Sequence, residues 1–308
     1  MPIITHRKFF YIFSAVAVTA SFVALAFWGL NLGIDFKGGA LLEVKYAASA
    51  PEKGAITEAL APIDAHASAR AAGDAGFIIR LREVSDAEHA SLLQALSFGG
   101  ARPVTEVRFD SLGPLLGREA ALKSLLAIAL VILCIMLFIT FAFRKVSEPV
   151  SSWKYGVATI IALTHNVVIP IGVFAYFGHF AGVEVDTLFV TALLVVLGFS
   201  VHDTIVVFDR VRENVRLARS PRQLAGQARC KEPFAETVGK SVSQTLTRSI
   251  NTSLTTLFAL FAFYFLGPAS TQYFSLALII GIVAGTYSSI CIASPLLVTM
   301  ERLQSKRT

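Results

Sequence analysis

The sequence predicts a membrane-spanning bundle of six helices with a small α+β domain inserted between the first and second helices. Composition points to the membrane, because 55% of the 308 residues are hydrophobic and only 16% are charged, whereas soluble proteins average about a quarter charged. Six apolar runs supply segments of about the ~20 residues that cross a hydrocarbon core. One long stretch of mixed polarity lies between the first two runs. This composition argues against a cytosolic enzyme.

The apolar runs cover Phe9–Leu30, Ser124–Phe143, Gly156–Phe177, Thr187–Val201, Ser249–Leu266 and Tyr273–Thr299. The fourth run is the shortest, but apolar character resumes at Thr204–Phe208, so we interpret it as one helix interrupted by His202 and Asp203. The first run is too long for a signal-peptide core and lacks a small-residue cleavage site. We therefore expect it to be a retained span.

The distribution of Lys and Arg predicts the orientation. Basic residues flank the first run, fill the loops after the second and fourth runs, and follow the sixth: Arg7, Lys8, Arg144, Lys145, Lys154, Arg210, Arg212, Arg216, Arg219, Arg222, Arg229, Lys231, Lys240, Arg302, Lys306 and Arg307. The short loops 178–186 and 267–272 contain neither residue type. The positive-inside rule then places both termini and a loop over about 209–247 in the cytoplasm.

The basic residues at the cytoplasmic ends of the spans largely account for the net charge of +6. Attraction to anionic lipid is a further expectation, and nucleic-acid binding is not expected. We divide the chain into a cytoplasmic N-terminus with the first span (1–30), an α+β domain on the outer face (31–123), which would be periplasmic in a bacterial inner membrane, and the remaining five spans with the cytoplasmic loop and C-terminus (124–308).

The domain on the outer face has alternating strand and helix patterns. Strands are predicted at Ala40–Tyr46, Gly76–Val84 and Pro103–Phe109, and helices at Glu52–Ile63 and Ser85–Leu96. Ser85 and Glu88 have the spacing of a capping box at the start of the second helix. The order βαβαβ predicts a small sandwich with its helices on one face. No cofactor or metal site is expected, because the domain lacks metal-ligand spacing and a Ser-His-Asp set.

Two charges lie inside apolar helices at matching predicted depth. Asp203 is 17 residues from Asp186 at the outer end of the fourth span, and Arg248 is 19 residues before Gly267 at the outer end of the fifth. At ~1.5 Å per residue, both lie ~25–29 Å from the outer surface. An isolated charge at membrane depth costs at least ~2.5–3.5 kcal/mol, so pairing or hydration is expected. A structural ion pair and a proton-carrying carboxylate both remain open.

Polar and small residues accompany these charges. Hydroxyls and amides crowd the start of the fifth span, at Ser241, Ser243, Gln244, Thr245, Thr247, Ser249, Asn251, Thr252, Ser253, Thr255 and Thr256. Small residues in the sixth span permit close helix contact, at Gly281, Ala284, Gly285, Ser288 and Ser289. His165 and Asn166 interrupt the third span, and His202 precedes Asp203. A lone histidine among apolar residues is more often a hydrogen-bonded core residue than a proton relay.

Four ordered motifs resemble one family over essentially the full chain. They are Asn31–Gly39 (NLGIDFKGG), Ser111–Glu119 (SLGPLLGRE), Gly198–Asn214 (GFSVHDTIVVFDRVREN), and Ser243–Thr256 together with Gly285–Ser289. Each is similar to an element of the SecD/SecF family of protein-translocation subunits. The third motif is closer to the SecF branch than to the SecD branch.

The resemblance implies a pair of SecD and SecF, each contributing six spans to a bundle related to the RND superfamily. The pair would work beside the SecYEG channel, with YajC and YidC as further partners, and would use the proton-motive force to draw unfolded secretory polypeptides outward. Asp203 and Arg248 would belong to the proton pathway. Asp35, Gly38 and Gly39 would form a hinge to the periplasmic domain, although a plain turn is an equal alternative.

Two departures from the family pattern bear on that pathway. The family usually has His-Asp in the third span where this chain has His165-Asn166, and usually has Asn before the fourth-span Asp where this chain has His202. We therefore treat these three residues as possible accessories to proton transfer. The Asp209–Asn214 segment is expected to form helix pairs such as Asp209–Arg212 and to anchor the loop.

The sequence leaves three alternative functions to compare with a proton-coupled translocation subunit. A non-conducting structural subunit that stabilises SecD and the channel is the main alternative. A small-molecule exporter of RND type is disfavoured because the periplasmic domain is too small for large porter domains. An intramembrane enzyme is disfavoured because the spans carry no nucleophile–base pair or metal-ligand pattern, so no covalent catalysis is expected.

Overall fold

The computed structural model describes residues 2–47, 50–73, 75–144, 151–218 and 233–305. These form two compact units: a helical unit, and an α+β unit made of Asn31–Leu126 and Glu184–Thr187. Parts of the predicted cytoplasmic segments, including Lys145, Arg219, Arg222, Arg229, Lys231, Lys306 and Arg307, lie outside the described residues.

Six helices in the described ranges are long and apolar enough to cross a membrane. We call them spans 1 to 6: Arg7–Trp28, Pro114–Ala142, Ser152–Ala181, Thr187–Ala218, Phe234–Leu266, and a sixth built from Gln272–Ser288, a π-helical turn Ser289–Ala293, and Ser294–Ser305. A short helix Pro2–Thr5 precedes span 1, and a 3₁₀ turn Ala269–Thr271 precedes span 6. Span 4 continues through His202 and Asp203 as one helix, as predicted.

The spans differ in how far they are enclosed. Over their most apolar windows, spans 3, 4 and 6 are 56%, 50% and 72% buried, whereas spans 1, 2 and 5 are 17%, 6% and 11% buried. Spans 3, 4 and 6 therefore form the core of the helical unit. Tyr155, Phe174 and Phe208 are its largest fully buried side chains. The apolar surface left on the other spans suits lipid or a partner helix.

The α+β unit contains a four-stranded antiparallel sheet in the order β2-β3-β1-β4. The strands are β1 (Gly39–Tyr46), β2 (Ser68–Ala72), β3 (Gly76–Leu81) and β4 (Val104–Leu112), and the helices are Ile34–Lys37, Lys53–Leu60 and Asp86–Leu96. The prediction of three strands was incomplete, because it missed β2. The sequence SARAA of β2 has no β-branched or aromatic residue, so pairing with β3 overrides a weak strand propensity.

The core of this unit lies between one face of the sheet and two helices. Leu42 and Ile79 from the sheet, with Ile56 and Leu92 from the helices, are all fully buried. The capping box is confirmed: the Ser85 N–H donates to Glu88 Oε2 at 3.1 Å. The fold class predicted from the sequence, six spans with an inserted α+β unit, is confirmed.

Candidate functional site

Asp203 is the one buried acidic side chain among the described residues of the six spans. It is 3% exposed, near the middle of span 4. Its Oδ2 atom has no hydrogen-bond partner within the described part of the chain. The hydroxyl groups of Ser249 and Ser253 face the carboxylate from span 5. A buried ionised carboxylate without a cationic partner is costly, so this group is suited to binding a proton.

Four hydroxyl side chains line the face of span 5 that includes Ser249 and Ser253. Ser241, Thr245, Ser249 and Ser253 recur every four residues, which places them on one helix face, and all four are buried. This hydroxyl row continues into span 6, because the oxygens of Ser253 and Thr286 lie 2.6 Å apart. Ser241 and Thr245 donate to the backbone carbonyl oxygens of Thr237 and Ser241 in their own helix, so these hydroxyls give span 5 a buried polar face.

Asn166 joins span 3 to the same region. It is fully buried, and its Nδ2 donates to Ser200 Oγ on span 4 at 2.6 Å. Its Oδ1 lies 3.0 Å from His165 Nδ1. Because an amide oxygen only accepts, Nδ1 must carry the hydrogen, and in the neutral ring Nε2 is the acceptor. That Nε2 atom has no partner within the described residues.

The ring of His165 also stacks on Tyr287 of span 6, with centroids 5.9 Å apart. The Tyr287 hydroxyl donates to the Phe10 carbonyl oxygen at 2.9 Å and lies 3.1 Å from Ser14 Oγ in span 1. Polar contacts therefore connect spans 1, 3, 4 and 6 through the two residues that interrupt the third apolar run.

Small residues of span 6 bring it close to span 4, as the sequence predicted. A Cβ atom on Gly285 would lie 3.1 Å from Ser200 Cβ and 3.7 Å from Asn166 Nδ2. A Cβ atom on Gly281 would lie 2.8 Å from Val196 Cγ1. The absence of side chains at these glycines lets the polar residues of spans 3 and 4 meet span 6 directly.

Span 6 then departs from α-helical geometry beside the site. Its π-helical turn Ser289–Ala293 begins where Ser289 Oγ meets Thr204 Oγ1 at 2.9 Å. The Ser294 hydroxyl donates to the carbonyl oxygen of Ser289, five residues earlier, at 2.9 Å. Turns of this kind are frequent at functional sites, because they re-aim side chains and leave backbone groups for other partners.

Arg248 and Asp203 form no ion pair within the described part of the chain, so the structural ion pair that the sequence left open is not found there. The ion pairs among described residues do not include Arg248. Arg248 follows Thr247 onto the exposed face of span 5, about 100° from the hydroxyl row. Equal depth on two helices does not fix the direction in which a side chain points.

Arg248 instead lines a surface cavity of about 420 Å³. The cavity is walled by spans 4 and 5, and its charged lining residues are Asp209, Arg210, Glu213 and Arg248. His202, which precedes Asp203, is also exposed. Among the predicted proton-pathway and accessory residues, Asp203, His165 and Asn166 are therefore buried, whereas Arg248 and His202 are exposed.

The Asp209–Asn214 segment clamps span 4 to the start of span 5. The predicted pair Asp209–Arg212 is present at 2.6 Å. Gln244 Oε1 accepts hydrogen bonds from Arg210 Nε at 2.7 Å and Asn214 Nδ2 at 2.9 Å. This motif therefore packs two spans together. It was also expected to anchor the cytoplasmic loop, but loop residues 219–232 lie outside the described residues.

Asp35 of the glycine-rich motif caps the start of span 4. Its Oδ2 accepts from the backbone N–H of Thr187 at 2.9 Å and from the Thr187 hydroxyl at 2.5 Å. Beside it, Leu32 and Val185 form a parallel bridge, and Arg80 Nε pairs with Glu184 at 2.6 Å. Burial raises the pKa of Glu184 above its usual value in spite of the neighbouring Arg80.

Gly38 and Gly39 form a tightly packed turn between this motif and β1. Their φ angles of 80° and 123° belong to the region that only glycine adopts readily. A Cβ atom on Gly38 would lie 2.7 Å from Pro114 Cα, and one on Gly39 would lie 2.7 Å from the Leu81 carbonyl oxygen. The geometry explains why glycine is required here, and the hinge role stays a prediction.

This fold and this site define a class: a multi-pass membrane protein that buries a carboxylate in a polar network inside its helix bundle. A sequence model described as Protein export membrane protein SecD/SecF, C-terminal, matches residues 95–303, and the SecD/SecF GG Motif matches residues 23–50. The chain belongs to the SecD/SecF family, which confirms the resemblance drawn from its motifs.

Curated relatives and solved structures agree with this assignment. The protein translocase subunit SecF of Thermobaculum terrenum is 44% identical over 98% of this chain and 94% of its own length. The SecF subunit of Anaerolinea thermophila is 38% identical with the same two coverages. The crystal structure of SecDF, a translocon-associated membrane protein from Thermus thermophilus, matches 98% of this chain with a TM-score of 0.80 and 29% identity.

A second crystal structure of SecDF, in the super-membrane-facing form, matches 99% of this chain with a TM-score of 0.61 and 30% identity. In both cases the present chain spans 39% of the SecDF chain that it matches. The helical arrangement described above is therefore that of one part of a longer relative.

Proposed function

We propose that this chain is the SecF subunit of the Sec protein translocase and that it couples protein export to the proton-motive force. The observation that carries the proposal is Asp203, a buried carboxylate with an unpartnered oxygen, set among the hydroxyls of Ser249 and Ser253. Binding of a proton would neutralise this group, and loss of the proton would leave a charge that the surrounding hydroxyls stabilise only in part.

The exposed group completes the proposed pathway together with a partner. The Arg248 guanidinium has no ion-pair partner among the described residues and faces away from the bundle core. The relatives that match the whole chain are SecF subunits, and the matching crystal structures are of SecDF. We therefore assign SecD as the partner whose spans cover this face, with an acidic side chain opposite Arg248.

Further parts of the proposal concern the setting. Both termini lie in the cytoplasm, the membrane is the bacterial inner membrane, and the chain performs no covalent catalysis. The pair acts beside SecYEG, with YajC and YidC as further partners, on unfolded secretory polypeptides. Asn166 occupies the position where the family usually has Asp, so the proton pathway inside this subunit uses one carboxylate.

The test is Asp203→Asn in cells that depend on this chain for export. Asn keeps the size of the side chain but can neither bind nor release a proton. Processing of a pulse-labelled secretory precursor should therefore fall to the level seen without the chain. Asp110→Asn is the matched control, because Asp110 is a partly exposed carboxylate on β4. Membrane level and co-purification with SecD are measured for both variants.

Normal export with Asp203→Asn would refute proton coupling through this residue and favour the structural-subunit alternative. That alternative predicts that charge-neutralising variants work, whereas variants that disturb helix packing at Gly281 or Gly285 fail. Loss of SecD binding by Asp203→Asn would likewise assign the residue to assembly.

A further inference from the structure

A basic cavity lies at the end of the bundle where spans 1, 5 and 6 carry their Lys and Arg residues. Its volume is about 770 Å³, which is within the range of pockets that hold small organic molecules. Four of its lining side chains are cationic and one is anionic: Arg7, Lys8, Lys240, Arg302 and Glu236. The cavity is separate from the Asp203 site and from the cavity lined by Arg248.

The four cations outnumber the single carboxylate of Glu236 in this cavity, and none of them forms an ion pair within the described part of the chain. Like charges gathered around one concave space repel one another, and the repulsion is relieved when an anion enters. The first turn of span 5 adds the positive end of a long helix dipole, since Pro233 and Ala235 also line the cavity.

A continuous apolar stripe runs along span 1 from the edge of this cavity. Phe9, Ile12, Phe13 and Val16 lie on one helix face, and each is at least 56% exposed. Lys8, which lines the cavity, and Ile12 of the stripe are four residues apart on one helix face, so the charged and apolar surfaces adjoin there. An anionic phospholipid offers the matching arrangement, with a phosphate beside its acyl chains.

We propose that this cavity is a binding site for the phosphate headgroup of an anionic phospholipid, whose acyl chains lie along the exposed face of span 1. Arg7, Lys240 and Arg302 bind the phosphate oxygens, and Glu236 favours a headgroup that also carries hydroxyl groups. Phosphate is equally the chemistry of a free inorganic anion, but only a lipid would use the adjoining apolar stripe. The proposal is independent of proton coupling.

The test uses the purified full-length chain in detergent micelles doped with dioleoylphosphatidylglycerol or dioleoylphosphatidylcholine. Native mass spectrometry measures the lipid retained. Phosphatidylglycerol should be retained selectively, and Arg7→Gln/Lys240→Gln should bind it about 30-fold more weakly, because two basic contacts near the headgroup are lost. Arg7→Lys/Lys240→Arg keeps the charge and should retain the lipid.

The matched control is Arg144→Gln/Arg216→Gln, which removes two basic charges at span ends outside the cavity lining. It should retain phosphatidylglycerol as the unaltered chain does. Equal loss of lipid in this control would overturn the site in favour of general surface attraction. Undiminished retention by Arg7→Gln/Lys240→Gln would also overturn it. Thermal stabilisation by inorganic phosphate that matches stabilisation by phosphatidylglycerol would refute a lipid ligand.

Discussion

The contact between Gly281 and Val196 gives the sharpest test of how spans 4 and 6 pack. In Gly281→Ala, the new methyl carbon would lie 2.8 Å from Val196 Cγ1 and 3.1 Å from Val196 Cβ. Ordinary carbon contacts are about 3.5–4.0 Å, and Val is stiff at χ1 in a helix, so the side chain cannot rotate away. One helix must therefore move.

The expected magnitude is the difference of two effects. Overpacking of a closely packed core costs typically 1–3 kcal/mol. Replacing Gly by Ala inside a helix returns up to about 1 kcal/mol through helix propensity. Taking the middle of the first range and the full second value, the net expectation for Gly281→Ala is a loss of about 1 kcal/mol, measured as a lower midpoint of unfolding of the purified chain in detergent.

Gly198→Ala supplies the control on the neighbouring helix. A Cβ atom at Gly198 would have no atom within 4 Å among the described residues. It gains the same helix propensity without the clash, so its midpoint should be unchanged or higher. Equal destabilisation by both variants, or none by Gly281→Ala, would refute the close approach of spans 4 and 6.

Three further predictions concern single contacts. Asn166→Ala should lower the free energy of unfolding by about 1–3 kcal/mol, because it leaves buried polar atoms of Ser200 and His165 without their partner; unaltered unfolding in detergent would contradict this contact. Asp35→Ala should remove the cap of span 4, at a cost of about 0.5–2 kcal/mol, and hydrogen exchange of the Thr187 amide should speed up. The Arg82 guanidinium lowers the pKa of Glu88 to about 2. Ionised Glu88 therefore stabilises the fold above pH 4.5, and this stabilisation is lost as the pH falls toward 2. Arg82→Gln should return the pKa of Glu88, measured by NMR, toward 4.5.

The number of spans could be predicted from the sequence, and so could the position of Asp203 inside one of them. Long apolar runs have few alternatives to membrane helices, and a charge inside one of them demands an explanation. The small residues of span 6 were also informative, because close helix contact needs their reduced volume.

Direction around the helix axis was harder to predict than depth. Arg248 was placed at the depth of Asp203, but it lies on the exposed face of span 5, and the inward-facing residues are Ser249 and Ser253. The signal was present in the four-residue spacing of Ser241, Thr245, Ser249 and Ser253, which marks one buried face. That spacing by itself predicts that Arg248 lies on the exposed side of span 5.

Other features depend on contacts between segments distant in sequence. Strand β2 has little intrinsic preference for extended structure and exists because β3 pairs with it. The cap that Asp35 places on Thr187 joins residues 152 positions apart. A single sequence offers no local pattern from which either contact follows.

Proton movement through Asp203 can be measured most directly as proton uptake by proteoliposomes that contain this chain together with SecD. A pH-sensitive dye inside the vesicles reports uptake under an imposed membrane potential. Uptake is expected with the unaltered chain and with Asp110→Asn, whereas Asp203→Asn is expected to show only the background uptake of protein-free vesicles. Uptake by Asp203→Asn at the rate of the unaltered chain would contradict proton movement through Asp203.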